Sequence, residues 1–124
     1  MRQFKRSKRV GSQMLRDVRE LMELECSTNL TAMVTFTDVV VTDDIRYATI
    51  YYSVLGDEKQ KTETSRYLNK NRARIQFKLG RLLSIKVIPE ISFEFDPSIE
   101  QGMRIEQLLN KISKEEDHEN TEDI

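Results

Sequence analysis

Two neighbouring apolar runs constrain the fold of this chain more than any other feature of its sequence. Residues 33–41 (MVTFTDVVV) and 45–55 (IRYATIYYSVL) are rich in β-branched and aromatic residues, a composition typical of β-strands. Only Thr42, Asp43 and Asp44 separate the two runs, and a short polar segment of this kind forms a tight turn. The sequence therefore predicts a β-hairpin.

Helical periodicity precedes and follows the hairpin. Residues 8–25 place apolar side chains at every third or fourth position, which predicts an amphipathic helix with Ser7 as its N-cap. Asp57 and Gln60 have the spacing of a capping box and predict the start of a second helical region. No proline interrupts the chain before Pro89, so that region can be long.

The last third of the chain predicts one more strand and one more helix. Apolar and polar residues alternate over 90–95 (EISFEF), as in a half-buried strand, and Asp96 followed by Pro97 is typical of a helix start. The resulting order is α-β-β-α(α)-β-α, which defines an α+β fold. We expect the last helix to dock on the body through an apolar stripe formed by Ile105, Leu108, Leu109 and Ile112.

Length and charge divide the chain into a body and a tail. With 124 residues it has room for one domain. Residues 114–124 contain six carboxylates and one lysine, a composition typical of disorder. We therefore predict a folded domain over 1–112 and an acidic disordered tail over 113–124.

The sequence argues against a membrane protein and against a secreted one. No apolar run approaches the roughly 18 residues of a membrane span, and the N-terminus lacks the apolar region of a secretory signal. A single cysteine, Cys26, fits a reducing compartment and predicts a cytoplasmic protein.

The positive charge is concentrated in two places. Residues 66–86 (RYLNKNRARIQFKLGRLLSIK) contain seven lysines or arginines and no carboxylate, although the whole chain has a net charge of −1. Five further cations lie within the first nine residues. Without the acidic tail the body has a net charge of about +4, which favours a polyanionic partner.

The cations of residues 66–86 form one face of the predicted helical region. Residues 66, 70, 74, 78 and 81 fall within an arc of about 120°, opposite a core-facing stripe of Leu68, Ile75, Leu79 and Leu82. We call this face, formed by Arg66, Lys70, Arg74, Lys78 and Arg81, the basic ridge. Like charges at this spacing destabilise a helix by about a few tenths of a kcal/mol per pair. A face that contacted only water would gain nothing to offset this repulsion. The plainer alternative is a solvated helix face that happens to be basic.

Two local features bear on how the ridge works. Phe77 lies among the cations on the helical wheel and could stack on a base. Asn69 and Asn71 flank Lys70, and asparagine is a weak helix former, so the region is either one continuous helix or two helices that break near 69–73.

Residues able to catalyse a reaction or hold a metal are sparse. His118 lies in the acidic tail, Cys26 is expected to be a buried thiol, and Asp43 with Asp44 are typical turn residues. We therefore expect neither an enzyme nor a metal or other cofactor.

Three segments resemble the bacterial ribosome-binding factor A family, whose members have a KH-like fold of the second topology, α-β-β-α-α-β. They are RV..QML at 9–15, TDVVVTDDIRYATIYYSVL at 37–55 and LGRLLSIKVIPEISFEFDPSIEQGMRI at 79–105. The resemblance runs from about residue 9 to residue 112. It implies a three-stranded sheet with helices packed on one face, followed here by a C-terminal helix.

The resemblance also implies a function. Members of this family bind the immature small (30S) ribosomal subunit and contact its ribosomal RNA near the 5′ region. They support late maturation, pre-rRNA processing and growth in the cold. We expect this chain to act in the cytoplasm as a monomer, without a cofactor or a membrane. In place of the GxxG loop of other KH domains they have an Ala-x-Gly kink between two helices, which corresponds here to Asn71, Arg72 and Ala73.

The basic clusters and the resemblance together predict the RNA contacts. The predicted RNA-binding residues are Lys5, Arg6, Lys8, Arg9, Arg66, Lys70, Arg72, Arg74, Phe77, Lys78, Arg81 and Lys86. The alternative function is that of a protein–protein adaptor whose basic helix meets an acidic partner.

Overall fold

The computed structural model describes residues 2–99, 101–102 and 105–112, and the side chains among them from Arg6 onwards. It has the predicted α+β fold and element order. Residues 98–99, 101–102 and 105–112 are also helical. The elements are α1 (Arg2–Asn29), β1 (Met33–Val41), β2 (Tyr47–Leu55), α2 (Glu58–Lys70), α3 (Arg72–Leu82) and β3 (Glu90–Phe95).

The three strands form one mixed sheet with β2 at its centre. The β1 strand pairs antiparallel with β2, as the predicted hairpin requires, and β3 pairs parallel with β2 on the other side. The register of β1 shifts between Phe36 and Asp38, so Thr37 is the extra residue of a β-bulge. The Thr37 hydroxyl donates a hydrogen bond of 2.7 Å to Asp96, and this bond ties the bulge to the end of β3.

One face of the sheet is covered by helices. The side chains of Ala48, Ile50 and Val54 on β2 and Ile91 on β3 point to the covered face and are almost fully buried. They meet Leu68 of α2 and Ile75 and Leu79 of α3, which have no exposed surface. In the part of the chain that the structure describes, no helix covers the other face of the sheet, and buried and exposed residues largely alternate along the strands.

The first helix extends beyond its predicted limits at both ends. Its core face consists of Val10, Met14, Val18, Met22 and Cys26, all buried, and this matches the predicted periodicity. Ser7 was predicted to cap this helix, and that prediction is wrong. The helix already begins at Arg2, and Ser7 lies buried within it.

The apolar stripe of the last helix does not dock on the body, contrary to prediction. Asp96 does serve as a cap, because its carboxylate accepts a hydrogen bond of 2.9 Å from the Ser98 amide. The helix that follows, however, leaves its four apolar stripe residues about half exposed. Among the described residues, the buried core cluster is formed mainly by the three strands with α1, α2 and α3, and none of the four stripe residues belongs to it. The exposed residues are Ile105, Leu108, Leu109 and Ile112.

Two further findings concern the whole chain. None of the helices in the described ranges combines the length and apolar character needed to cross a bilayer. The predicted acidic tail, residues 113–124, lies outside the described residues.

Candidate nucleic-acid interface

The second helix begins with the predicted capping box. The Asp57 carboxylate accepts a hydrogen bond of 2.8 Å from the Gln60 amide, and the Gln60 side chain accepts one of 2.9 Å from the Asp57 amide. These reciprocal bonds satisfy two donors that the first turn of a helix otherwise leaves unpaired. The start of α2 is therefore specified locally, as the sequence indicated.

A single residue, Asn71, separates α2 from α3, so the structure has two helices rather than one. The Asn71 amide N–H and its side-chain Nδ2 both donate to the Tyr67 carbonyl oxygen, at 3.1 Å and 2.8 Å. The side chain thus closes the end of α2 and makes no capping bond to α3. The break lies where the resemblance places the interhelical kink of Asn71, Arg72 and Ala73; the function of that kink remains a prediction.

All five cations of the basic ridge lie on the surface of α2 and α3. Arg66, Lys70, Arg74, Lys78 and Arg81 are exposed, whereas Leu68, Ile75 and Leu79 on the opposite side are fully buried. Leu82 was predicted to belong to that buried stripe, and this is wrong, since Leu82 is 52% exposed. The helix ends at Leu82 and the chain becomes extended at Leu83, which enters the core instead.

One cation of the basic ridge, Arg74, forms an ion pair with a residue of another helix. Glu25 of α1 accepts hydrogen bonds from the Arg74 guanidinium and, at 2.6 Å, from the Tyr67 hydroxyl. The Arg74 hydrogen bond lowers the pKa of Glu25, and the charge of Lys78 acts in the same direction. Burial and the bond to Glu25 raise the pKa of Tyr67 to about 12. One of the five ridge cations is therefore neutralised within the molecule.

Sequence reasoning missed Glu25 because it lies 49 residues from Arg74. A signal existed, since a glutamate beside Cys26 on the core-facing side of α1 is an unusual place for an acid. That signal indicates burial or pairing but does not identify the partner.

Phe77 lies on the surface among the cations, as predicted. Its ring is 67% exposed, and the Arg81 guanidinium lies over it at 5.9 Å from the ring centroid. An exposed aromatic ring beside cations can stack on a base while the cations contact phosphates.

Arg72 is oriented towards β3 and away from the ridge. Its guanidinium lies 3.6 Å from the Glu90 carboxylate and donates a hydrogen bond of 3.4 Å to the Ile91 carbonyl oxygen. The Gln76 side chain accepts a hydrogen bond of 3.2 Å from the Ile91 amide. Because β3 is an edge strand, these two side chains satisfy backbone groups that no further strand pairs. Arg72 thus has a structural partner in addition to its predicted RNA contact.

The N-terminal cations are only partly described, and Lys86 joins them rather than the ridge. Arg6, Lys8 and Arg9 are exposed on α1, while the side chain of Lys5 lies outside the described side chains. Lys86 follows α3 and lines the same cleft as Arg6. The basic stretch that is continuous in sequence therefore divides into two surfaces in the fold.

The described residues offer little for catalysis. Among them, no three His, Cys, Asp or Glu side chains are grouped so that they could hold a metal ion. Cys26 is buried, and burial raises the pKa of its thiol to about 11, which keeps it protonated and unreactive at neutral pH. What the surface provides is exposed positive charge around an aromatic ring, an arrangement suited to binding.

Fold and site together define an α+β KH-like domain with a cationic surface on its second and third helices. The sequence model described as "Ribosome-binding factor A" matches residues 6–109. The chain therefore belongs to the ribosome-binding factor A family. A curated relative of that name from Staphylococcus saprophyticus is 36% identical over 111 residues, which cover 90% of this chain and 97% of the relative.

Solved structures agree with the fold. The crystal structure of ribosome-binding factor A from Thermus thermophilus superposes with a TM-score of 0.60 at 18% identity, over 71% of this chain and 93% of that one. A homology model of the Thermus thermophilus factor, fitted into a cryo-electron microscopy map of its complex with the 30S subunit, gives a TM-score of 0.59 at 18% identity, over 70% and 91%. At this identity the likeness concerns the fold alone.

Proposed function

We propose that this chain is a ribosome-binding factor that binds the immature small ribosomal subunit and contacts its ribosomal RNA through the basic ridge. It acts by binding, without catalysis and without a cofactor, as a cytoplasmic monomer. The observation that carries the proposal is the row of exposed cations along α2 and α3 around the exposed ring of Phe77. Family membership and the 30S complex of the Thermus thermophilus factor support it.

The charge arrangement explains why RNA suits this surface. Arg66 and Lys70 have no carboxylate within ion-pair distance among the described residues, and only Arg74 of the five ridge cations has one. Phosphates spaced along a nucleic-acid backbone would replace the missing counter-charges and release bound salt ions. Binding then depends on the shape and charge of the RNA more than on its base sequence.

Reversal of two ridge charges tests this proposal. We expect the variant Arg66→Glu with Lys70→Glu to lose most of its co-sedimentation with purified immature small subunits. Both side chains are exposed, so the variant should fold. The matched control is Arg16→Glu with Lys111→Glu, which changes the net charge equally at exposed positions outside the ridge. Equal sedimentation of both variants with the subunit would contradict the proposal.

A nuclease experiment separates RNA binding from the adaptor alternative. If the ridge contacts RNA, ribonuclease treatment should release the chain from the subunit. If it contacts an acidic protein, the complex should survive that treatment. Retention of the complex after complete RNA digestion would favour the adaptor.

The finer aspects of the proposed function are contact near the 5′ region of the RNA, late pre-rRNA processing and growth in the cold. Crosslinking of the chain on a purified immature subunit, followed by mapping of the crosslinked nucleotides, tests the first. Growth at low temperature, with measurement of unprocessed RNA in cells that carry only the Arg66→Glu, Lys70→Glu variant, tests the other two.

A further inference from the structure

A second group of cations converges at one place from three distant parts of the sequence. Arg6 comes from α1, Arg46 precedes β2, and Lys86 lies in the loop between α3 and β3. Together they line one cleft of about 300 Å³, and all three side chains are exposed. Arg46 was not among the predicted binding residues, because nothing in its local sequence distinguishes it from other strand-flanking residues.

The backbone around Arg46 is held firmly. The Arg46 carbonyl oxygen accepts a hydrogen bond of 2.9 Å from the Glu90 amide, and its own amide donates to the Asp44 carboxylate at 3.2 Å. The preceding residue, Ile45, has a φ of 58°, although β-branched residues rarely adopt this left-handed conformation. The Ile45 side chain packs against the core, and this packing offsets part of the conformational strain. Such strained residues cluster at functional sites, where the surrounding structure holds them in place.

The loop that carries Lys86 is also anchored on both sides. Ile85 and Ile88 are half-buried and pack against the core, and Pro89 is buried. Between these anchors Lys86 remains exposed. The cleft is therefore formed by positions that the fold sets in advance, which lowers the entropic cost of binding.

The cleft has a net positive charge although one carboxylate lines it. One oxygen of Asp44 accepts hydrogen bonds from the Thr42 hydroxyl, at 2.7 Å, and from the Arg46 amide, so this acid serves to shape the turn. Its other oxygen lies 3.7 Å from Arg46 Nε, in a pair whose side chains are 77% and 58% exposed. Solvent screens such a pair strongly. The terminal nitrogens of Arg46 make no hydrogen bond to the described residues.

We propose that the cleft of Arg6, Arg46 and Lys86 binds a backbone phosphate of RNA, as a second contact separate from the basic ridge. A guanidinium presents paired donors that match a phosphate, and a lysine ammonium adds a mobile point charge. A small cleft surrounded by separate cations suits a compact tetrahedral anion better than an extended acidic peptide. This proposal rests on the RNA binding proposed above and extends it.

Salt dependence measures the second contact directly. The probe is a duplex RNA of roughly 20 base pairs, titrated between about 50 and 200 mM salt, and the variant is Arg46→Gln with Lys86→Gln. If both residues neutralise that phosphate, the slope of log K against log salt should become shallower by up to about 0.9, the value of one phosphate contact. The affinity at low salt should fall roughly tenfold or more. The control, Arg16→Gln with Lys111→Gln, removes the same charge at exposed positions outside both the cleft and the ridge, and should leave the slope nearly unchanged.

The outcomes distinguish this inference from the proposed function. If the cleft variant matches the control while Arg66→Glu, Lys70→Glu still weakens binding, the cleft proposal is wrong and the ridge proposal stands. If the cleft variant weakens binding and the ridge variant does not, the cleft is supported and the ridge proposal is wrong. If neither variant differs from the control, both proposals are overturned.

A measurement on the unaltered chain avoids any question of misfolding. In a nitrogen-15 spectrum of the full chain, the Arg46 Nε–H signal should shift saturably on addition of the duplex, together with the amide signals of residues 85–87. The Arg19 Nε–H signal is the internal control, because Arg19 donates to the Phe36 carbonyl oxygen on another part of the molecule. Equal shifts of both arginine signals, or no shift of Arg46, would contradict a defined phosphate site.

Discussion

Glu25 links α1 to the basic ridge through hydrogen bonds from the Tyr67 hydroxyl and the Arg74 guanidinium. The sequence predicted the ridge from spacing alone, and the spacing is correct, since every ridge cation is exposed. It could not predict the pairing, because helical periodicity describes one helix and Glu25 belongs to another. Because Glu25 neutralises Arg74, the ridge has less positive charge available for binding than its five cations alone would provide.

Release of Arg74 should strengthen RNA binding. The variant Glu25→Gln keeps the size of the side chain but removes the charge that neutralises Arg74. We expect a few-fold tighter binding to an RNA duplex and a salt slope steeper by up to about 0.9, the value of one additional phosphate contact. Fluorescence anisotropy titrations at several salt concentrations measure both quantities.

The control for this prediction is Glu23→Gln, which removes an exposed carboxylate from the same helix. It changes the net charge equally but leaves the Arg74 pair intact. If both variants gain the same affinity, the effect is one of net charge, and the specific role of Glu25 is disproved.

The same carboxylate should make stability depend on pH. The pKa of Glu25 is lowered in the folded chain, chiefly by the Arg74 hydrogen bond, so this group stabilises the fold above its unfolded pKa of about 4.3. The stabilisation is lost as the pH falls through the lower folded pKa. We expect the wild-type chain to exceed Glu25→Gln by about 1 kcal/mol in unfolding free energy at pH 7, and the difference to shrink below pH 4.3. Urea unfolding of both chains across this pH range measures it, and a constant difference would contradict the prediction.

Gly11 is a second residue whose importance only the tertiary structure reveals. It lies inside α1, where alanine would normally be preferred by about 1 kcal/mol. A Cβ at this position, however, would lie 2.8 Å from the Val39 carbonyl oxygen of β1. We therefore expect Gly11→Ala to destabilise the chain by about 1–3 kcal/mol in urea unfolding, despite its better helix propensity.

Another helical glycine provides the matched control. A Cβ at Gly102 would meet no atom of the described chain within 4 Å. Gly102→Ala should leave the unfolding free energy unchanged or slightly higher. A stabilising effect of Gly11→Ala would show that α1 and β1 can separate without cost, contrary to the close approach in this structure.

At the scale of elements, periodicity and capping predicted what forms locally. The hairpin strands, the capping box of α2 and the Asp96 cap all depend on residues within a few positions of one another. The predictions that were wrong concern residues whose burial depends on how several elements pack together. Leu83 is buried in place of Leu82, because α3 ends at Leu82 and the chain becomes extended at Leu83.

The last helix is a second case in which the periodicity of one element did not predict how that element packs. Its apolar periodicity predicted docking, but Leu108 and Leu109 are 59% and 58% exposed. We expect Leu108→Ser with Leu109→Ser to leave the unfolding free energy of the chain within about 0.5 kcal/mol of wild type. Leu79→Ala, which opens a cavity beneath the ridge, should cost about 2–5 kcal/mol. A comparable loss in both variants would show that the last helix does pack on the body in solution.

At the scale of the whole molecule, folding changes how the positive charge is distributed. Residues 66–86 are one basic stretch in sequence, but in the fold five of its cations form the ridge, and Arg72 pairs with Glu90 of β3. Lys86 lines the cleft with Arg6 and Arg46. Charge counting could predict a polyanionic partner. It could not predict two surfaces, because their separation depends on where the loop after α3 returns to the N-terminal part of α1.

The acidic tail adds a third charged region, and its sequence supports a final prediction. Removal of residues 113–124 takes away six carboxylates and one lysine, and so changes the net charge from −1 to +4. We expect the chain that ends at residue 112 to bind non-specific RNA more tightly at about 50 mM salt, with the gain declining by about 200 mM as ions screen the charges. A full-length chain in which the six tail acids are replaced by their amides should behave like the truncated chain if charge is the cause. If only the truncation tightens binding, the tail acts by occupying space, and if neither does, it has no part in restraining RNA contact.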